Sequence, residues 1–358
     1  MEMSFENLKI SDNRNFKICS SPNYNFIFDK KTGFFARWGK TKEDDPLYGP
    51  SPELADIEVT TICNGVTDCN GKRKVCQFCY KSNTSQGHNM SLENFKKLFN
   101  KLPKATLGQV AFGADSQATS NPELFDMMRY CRSNDTNHVV VPNITVSDIS
   151  NETADILSSL CGAVAVSRYN NKDVCYDCIE KLTSRGVDQV NAHVMTSEES
   201  FDIVMETMED KLTDKRLAKL KAIVMLSLKQ KGRGQRFTPL SMDKFKELVN
   251  FAFDNNIAIG FDSCTSTKFL SAIQDRDPYP KYVEQCVEPC ESGLFSIYIN
   301  YKCEAFPCSF MEDEPGWETG VNVLDCEDFV KDVWFGKRFI EWRNNLLECK
   351  RNCPRFII

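Results

Sequence analysis

The stretch "TTICNGVTDCNGKRKVCQFCYKSN", residues 60–83, holds four of the chain's seventeen cysteines: Cys63, Cys69, Cys76 and Cys79. The last two form a Cys-x-x-Cys with Phe78 just before the second, and a polar, glycine-bearing segment (64–75) separates them from Cys63. Upstream lies a β-branched run, "ADIEVTTI" (55–62). Downstream, "SLENFKKLFNKL" (91–102) has helical spacing, with Ser91 placed to cap it. The cysteines therefore lie between a strand and a helix. In a parallel sheet that junction falls at the C-terminal edge, where such folds carry their sites. The polar, acidic N-terminus has neither the charged start nor the apolar middle of an export signal, so grouped cysteines point to metal rather than disulfides. Four thiolates would suit a closed zinc site, whereas three would suit an iron–sulfur cluster with one iron left open.

Outward from that loop the strand–helix rhythm repeats. Apolar runs follow at "LGQVAFG" (107–113), "HVVVPNITV" (138–146), "GAVAVS" (162–167), "DQVNAHVM" (188–195), "KAIVMLSL" (221–228) and "NIAIGFD" (256–262), with helical patterns between them. Continuous β-branched runs alternating with helices imply a covered parallel sheet. The expected fold is α/β, a partial (β/α)6 TIM-like barrel over residues 55–262. Residues 1–54 read as a β-hairpin and linker, with "YNFIFDKKTGFFARWG" turning at Lys30–Gly33. After about residue 285 the rhythm stops, and residues 263–358 read as a small cysteine-rich C-terminal domain. A net charge of −6 argues against nucleic acid as a partner, and no apolar run is long enough to span a membrane. A cytoplasmic protein is expected.

The cysteine loop resembles that of the radical SAM superfamily, which ends its first strand in Cys-x-x-x-Cys-x-aromatic-Cys. The resemblance implies that Cys63, Cys76 and Cys79 hold a [4Fe–4S] cluster whose open iron binds S-adenosylmethionine (SAM), with Phe78 as the aromatic beside it. Within the twelve residues between Cys63 and Cys76, "GVTDCNGKRK" (65–74) then forms an inserted loop. Cys69 is a spare thiol, a substitute ligand or part of a zinc site, and the sequence leaves these open. "VAFGADSQATSNPEL" (110–124) is similar to the superfamily's second-strand Gly-Gly-Glu-Pro segment, with Gly113 retained and Ala114 and Asp115 in place of Gly and Glu. By the same resemblance Gly113, Ala114 and Asp115 would contact the amino group of SAM. Asn143 and Thr145, Ser167 and Arg168, and Asn191 and His193 would offer polar groups to its ribose and carboxylate. For His193 a satisfied core histidine is an equal reading.

The tail segments "CVEPCESGLFSIYINYKCEAFPCSF" (286–310) and "ECKRNCP" (348–354) are similar to the SPASM or twitch extension of radical SAM enzymes. That similarity implies a second, auxiliary [4Fe–4S] cluster on Cys264, Cys290, Cys308 and Cys353, with Cys303 standing where the pattern has glycine. A structural zinc site is the alternative. Cys175 and Cys178 lie on a helical pattern and read as packing residues. The basic loop "LKQKGRGQR" (228–236) could be a solvated surface or bind an acidic group. Asp262, Glu291 and Tyr298 are expected near the barrel mouth, but no catalytic side chain stands out. The resemblance implies reductive cleavage of SAM and hydrogen abstraction from a peptide or protein, with electrons from a reduced flavodoxin or ferredoxin-type donor. A dehydrogenase or epimerase of a small polar molecule, or a zinc-stabilised binding protein, are the competing readings.

Overall fold

The computed structural model describes residues 5, 7–41, 44–103, 105–113, 117–133 and 139–358. Four antiparallel strands come first: β1 (Lys9–Asp12), β2 (Phe16–Ser21), β3 (Tyr24–Asp29) and β4 (Phe35–Trp38), paired in that order. The expected hairpin is β3–β4, and two further strands precede it. One face of this sheet buries Cys19, Tyr24, Phe26 and Phe28. Phe28 lies against Gly108, so closely that a Cβ there would meet its ring. Gln189 Nε2 donates to the Thr32 carbonyl at 2.7 Å. Gly108 and Gln189 both precede barrel strands, so the sheet closes the N-terminal end of the barrel.

The barrel strands β5 (Leu54–Ile57), β8 (Gln109–Phe112), β9 (Val141–Val146), β10 (Val164–Arg168), β11 (Val190–Thr196), β12 (Ala222–Ser227) and β13 (Ile259–Phe261) pair in parallel in sequence order. Between β5 and β8, a two-stranded ribbon of β6 (Val66–Thr67) and β7 (Arg73–Lys74) precedes helix α1 (Leu92–Lys101). Helices α2 (Leu124–Arg132), α3 (Asn151–Leu160), α4 (Lys172–Thr183), α5 (Phe201–Thr213) and α6 (Met242–Asp254) follow the successive strands. Ser91 caps α1 by accepting from the Asn94 N–H, and Ser150 caps α3 likewise from Thr153.

Along each barrel strand burial alternates, because successive side chains point to opposite faces. In β11, Val190, Ala192, Val194 and Thr196 are buried, whereas Asn191, His193 and Met195 are half-buried. The buried set packs on the helices in one continuous core with Val164, Val166, Ile223 and Met225. The half-buried set lines the lumen. Cys175 and Cys178 belong to that helix-side core, as packing residues should.

Beyond β13 come α7 (Ser266–Ile273), α8 (Lys281–Glu284), β14 (Ser296–Ile299), β15 (Glu304–Phe306), β16 (Val321–Asn322) and α9 (Lys337–Glu348). β14 pairs in parallel with β5 (Ser296 opposite Leu54, Ile299 opposite Ile57), so the barrel sheet continues into the tail. The ten-stranded sheet runs β13-β12-β11-β10-β9-β8-β5-β14-β15-β16. None of the helices is long and apolar enough to cross a membrane among the described residues.

Candidate cofactor site and its cysteine groups

The 60–83 segment leaves β5 and folds back on itself. Cys63 N–H donates to the Thr84 carbonyl at 2.7 Å, and Thr61 N–H to His88 at 2.9 Å, which ties the start of the segment to its end. Residues 65–74, the expected insertion, make the β6–β7 ribbon. Gly65 has φ +75°, and a Cβ there would press into the Lys74 carbonyl, so glycine lets the two legs of the ribbon close. That closure draws the two legs of the segment together, and Cys63 and Cys76 both lie near Tyr169 although residues 64–75 separate them. Cys69 is exposed at the ribbon's turn, with Sγ 3.8 Å from the Asn170 carbonyl.

Tyr169, just after β10, feels the charges of both Cys76 and Cys63 and shares hydrogen bonds with Ser167 and Cys76. Cys76 in turn feels Cys79. The three cysteines thus gather at the C-terminal edge of the lumen, and Cys69 does not join them. Burial pushes the Cys76 thiol up to about 11. A metal that binds it must displace that proton, and binding and deprotonation are linked.

The basic loop after β12 holds the cysteine segment, while its Gln230, Gln235 and Arg236 are exposed. Arg233 N–H donates to the Cys79 carbonyl at 3.0 Å, its Nε to the Cys76 carbonyl at 2.9 Å and its Nη2 to Asn83 at 3.0 Å. Gly232 has φ +55°, and a side chain there would collide with the carbonyls of Tyr80 and Cys79. Phe78 is buried, its ring 4.3 Å from that of Phe237 in the same loop. Lys231 pairs with Glu314 at 3.1 Å, and Lys229 pairs with Asp262. One loop therefore grips both the first cysteine segment and the tail.

The tail cysteines also converge. Cys264 follows β13 at one edge of the ten-stranded sheet, while Cys290 precedes β14 and Cys308 follows β15, in the part of the sheet that the tail adds beyond β5. Cys264 and Cys290 share a hydrogen bond, which lowers the Cys264 pKa and raises that of Cys290. Burial raises Cys308 to about 12, and it feels both Cys264 and Cys353. Cys353, beyond α9, completes the group. The four cysteines expected together link the β13 edge of the barrel to the tail strands. Cys286 and Cys349 are exposed, and Cys326 is buried elsewhere, at the end of α1. Among the described residues no three His, Cys, Asp or Glu side chains converge on a point suited to a single metal ion.

Tyr80 and Lys81 join the two groups. The Tyr80 ring stacks on Phe310 at 4.1 Å and its hydroxyl donates to Ser309 Oγ at 2.8 Å, both residues directly after Cys308. Lys81 binds the Tyr298 hydroxyl at 2.9 Å and pairs with Glu312 and Glu58. Tyr298 is therefore a buried link of this network rather than an open group at the mouth.

The remaining expected residues divide by strand parity. Ser167, Asn191 and His193 face the lumen, as does Thr145. Burial pushes His193 down to about 4, with the Asp262 charge opposing, so it is neutral at pH 7. Gly113 turns with φ +76°, while Ala114 and Asp115 lie outside the described residues. Arg168 is a correction. Next to lumen-facing Ser167, it must point to the helices, where its Nη2 meets Glu206 at 2.6 Å and its guanidinium stands 5.7 Å from the Tyr176 ring. Asn143 faces the lumen, but its amide is spent on Gln109 (2.8 Å) and on Ala163 N–H (2.9 Å), near the starts of β8 and β10 and away from the cysteine edge. Glu291 is likewise held by Arg37 of the N-terminal sheet at 2.9 Å. Tyr169 and Arg233 were missed as individual residues. The glycines flanking Arg233 were the one available signal.

No protein-family model matches the chain, and no curated protein sequence matches it. Solved structures do. SuiB of Streptococcus suis bound to precursor peptide SuiA is similar at a TM-score of 0.68 and 10% identity, over 94% of this chain and 90% of that one. SuiB bound to S-adenosylmethionine gives 0.65 at 10% identity, with the same coverage. The enzyme anSMEcpe with bound AdoMet gives 0.57 at 14% identity, over 85% and 84% of the two chains. These neighbours are radical SAM enzymes, and the chain has their fold, with the tail built into the same sheet as the barrel.

Proposed function

We propose that the protein is a radical SAM enzyme that abstracts hydrogen from a peptide or protein, with an auxiliary cluster on the tail. The observation that carries the reading is the gathering of Cys63, Cys76 and Cys79 at the C-terminal edge of a half-open lumen. The donor set fits: three thiols from one segment, no fourth cysteine among them, and an open lumen beside them for SAM. When bound there, a [4Fe–4S] cluster would supply the electron that cleaves SAM to a 5′-deoxyadenosyl radical.

The chain's own part is positioning. Arg233 holds the carbonyls of the cysteine segment, Gly232 lets the loop approach them, and Phe78 packs on Phe237. Ser167, Asn191 and neutral His193 line the lumen with hydrogen-bonding groups but no fixed charge. A partly polar lumen that shields the reacting centre suits a radical that must meet one C–H bond rather than solvent. Cys264, Cys290, Cys308 and Cys353 fit a second cluster, being four thiols brought from four segments to one place. The likeness to SuiB, solved with its precursor peptide, favours a peptide over a small molecule.

Anaerobic incubation with SAM, a chemical reductant and candidate peptides tests this. The expected result is 5′-deoxyadenosine whose formation is stimulated by a peptide that changes mass in step with it. Stimulation by small polar molecules alone would overturn the peptide reading, and no 5′-deoxyadenosine from an iron-loaded protein would overturn the reaction class.

A further inference from the structure

We infer that the β6–β7 ribbon is the docking surface for the electron donor, and that the donor is a small acidic one-electron carrier protein. The inference rests on the cluster reading above, because it needs an acceptor at Cys63, Cys76 and Cys79. Three observations carry it. The ribbon springs from the cysteines themselves: its feet, Gly65 and Val75, stand two residues after Cys63 and one before Cys76. It is the exposed side of the segment, with residues 69–75 all exposed and Val75 open to 45%. It is also basic in an acidic chain. Lys74 is offset by Asp68 at 2.8 Å, which leaves Lys72 and Arg73 to set the sign against a net charge of −6 for the whole chain.

The physical consequence is steering. An acidic carrier is repelled by the net charge of the chain and drawn to the exposed Lys72 and Arg73 beside the acceptor. Complementary charge raises association rates by one to three orders of magnitude, and salt screens the effect. The exposed Val75 beside the cations offers a small apolar contact at the foot of the ribbon, next to Cys76. The step is a single electron transfer. The reduced carrier loses one electron, the cluster gains it, and no bond forms or breaks. The substrate has its own approach from the lumen side, where Ser167, Asn191 and His193 lie, so the ribbon's outer face is left to the donor.

The test compares the reconstituted full-length protein with Lys72→Glu and with Lys72→Glu/Arg73→Glu. Reduction is followed by stopped-flow absorbance, with a bacterial flavodoxin hydroquinone as one reductant and photogenerated deazaflavin radical, a small neutral one, as the other. The expected result is a fall of about tenfold or more in the flavodoxin rate at low ionic strength for the double variant, and a smaller fall for Lys72→Glu. The differences should vanish at high salt, with deazaflavin rates and iron content unchanged. Equal flavodoxin rates for wild type and both variants would overturn the docking surface while leaving the cluster reading intact. Unchanged flavodoxin rates with lost peptide-dependent turnover under deazaflavin would also overturn it and assign the ribbon to substrate. If deazaflavin reduces no cluster in any of the proteins, the cluster reading falls and the docking surface with it.

Discussion

The two cysteine groups are built in opposite ways. The first takes its three thiols from one segment, residues 63–79, closed by the β6–β7 ribbon and clamped by Arg233. The second takes one thiol from each of four places, Cys264, Cys290, Cys308 and Cys353, and so joins the β13 edge of the barrel to the tail. A group in one segment can be lost without unfolding its surroundings. A group that joins distant segments also holds them together, so its metal contributes to the folding free energy of the tail. Both meet at one loop, residues 228–236, and at the Tyr80–Phe310 stack.

Substitutions can break this contrast, and the largest effect belongs to the first group. Cys76→Ala or Cys79→Ala is expected to abolish reductive SAM cleavage and to remove one cluster's iron. Cys69→Ala should do neither, as measured by 5′-deoxyadenosine release and iron analysis. If Cys69→Ala behaves like Cys76→Ala, the ribbon is a ligand arm and not an insertion.

Replacing Cys290 and Cys308 together should lower iron content and lower the thermal midpoint, yet leave SAM cleavage running uncoupled from product. Calorimetry and iron assay read the two effects separately. A soluble double variant with full iron and full product would reduce the tail cysteines to packing residues.

Gly232→Ala should be milder, costing roughly 1–3 kcal/mol as a strained backbone position. It should also slow iron loading of the first group, because the Tyr80 and Cys79 carbonyls must move. Normal loading kinetics would show that the clamp does not shape the cysteine segment.

The smallest effect is one of pH. His193 sits at about 4 in the fold against an ordinary value near 6.5. Its depressed value means the unfolded chain takes up a proton first. Its contribution is therefore full above pH 6.5 and is lost as pH falls from there towards 4. In the metal-free protein, His193→Asn should flatten the stability profile across that window. An unchanged slope would place the titration elsewhere.

The barrel was legible in the sequence because each strand is a β-branched run and each helix a spaced one: all seven runs from "ADIEVTTI" to "NIAIGFD" contain strands. The first cysteine group was legible because it is local. What was not legible is long-range. Nothing in "FSIYIN" announces that Ser296 will pair beside Leu54, since parallel pairing across such a separation leaves no local mark. The ribbon strands are two residues each and read as loop. Arg168 was avoidable: adjacent strand residues face opposite ways, so Ser167 and Arg168 could not both reach the lumen. Asn143 shares the lumen face, but its partners come from two other strands and only the fold reveals them. Cys303, which stands at the pattern's glycine position, does adopt φ +66°, a conformation that favours glycine.

The most direct measurement is metal content with spectroscopy on anaerobically reconstituted protein. The account predicts a brown protein with about eight irons per chain, two four-iron clusters' worth. Its colour should bleach on reduction, and its electron paramagnetic resonance signal should change when SAM is added. Cys76→Ala should keep about half that iron and lose the response to SAM. A colourless protein holding zinc, or a brown one whose spectrum ignores SAM, would contradict it.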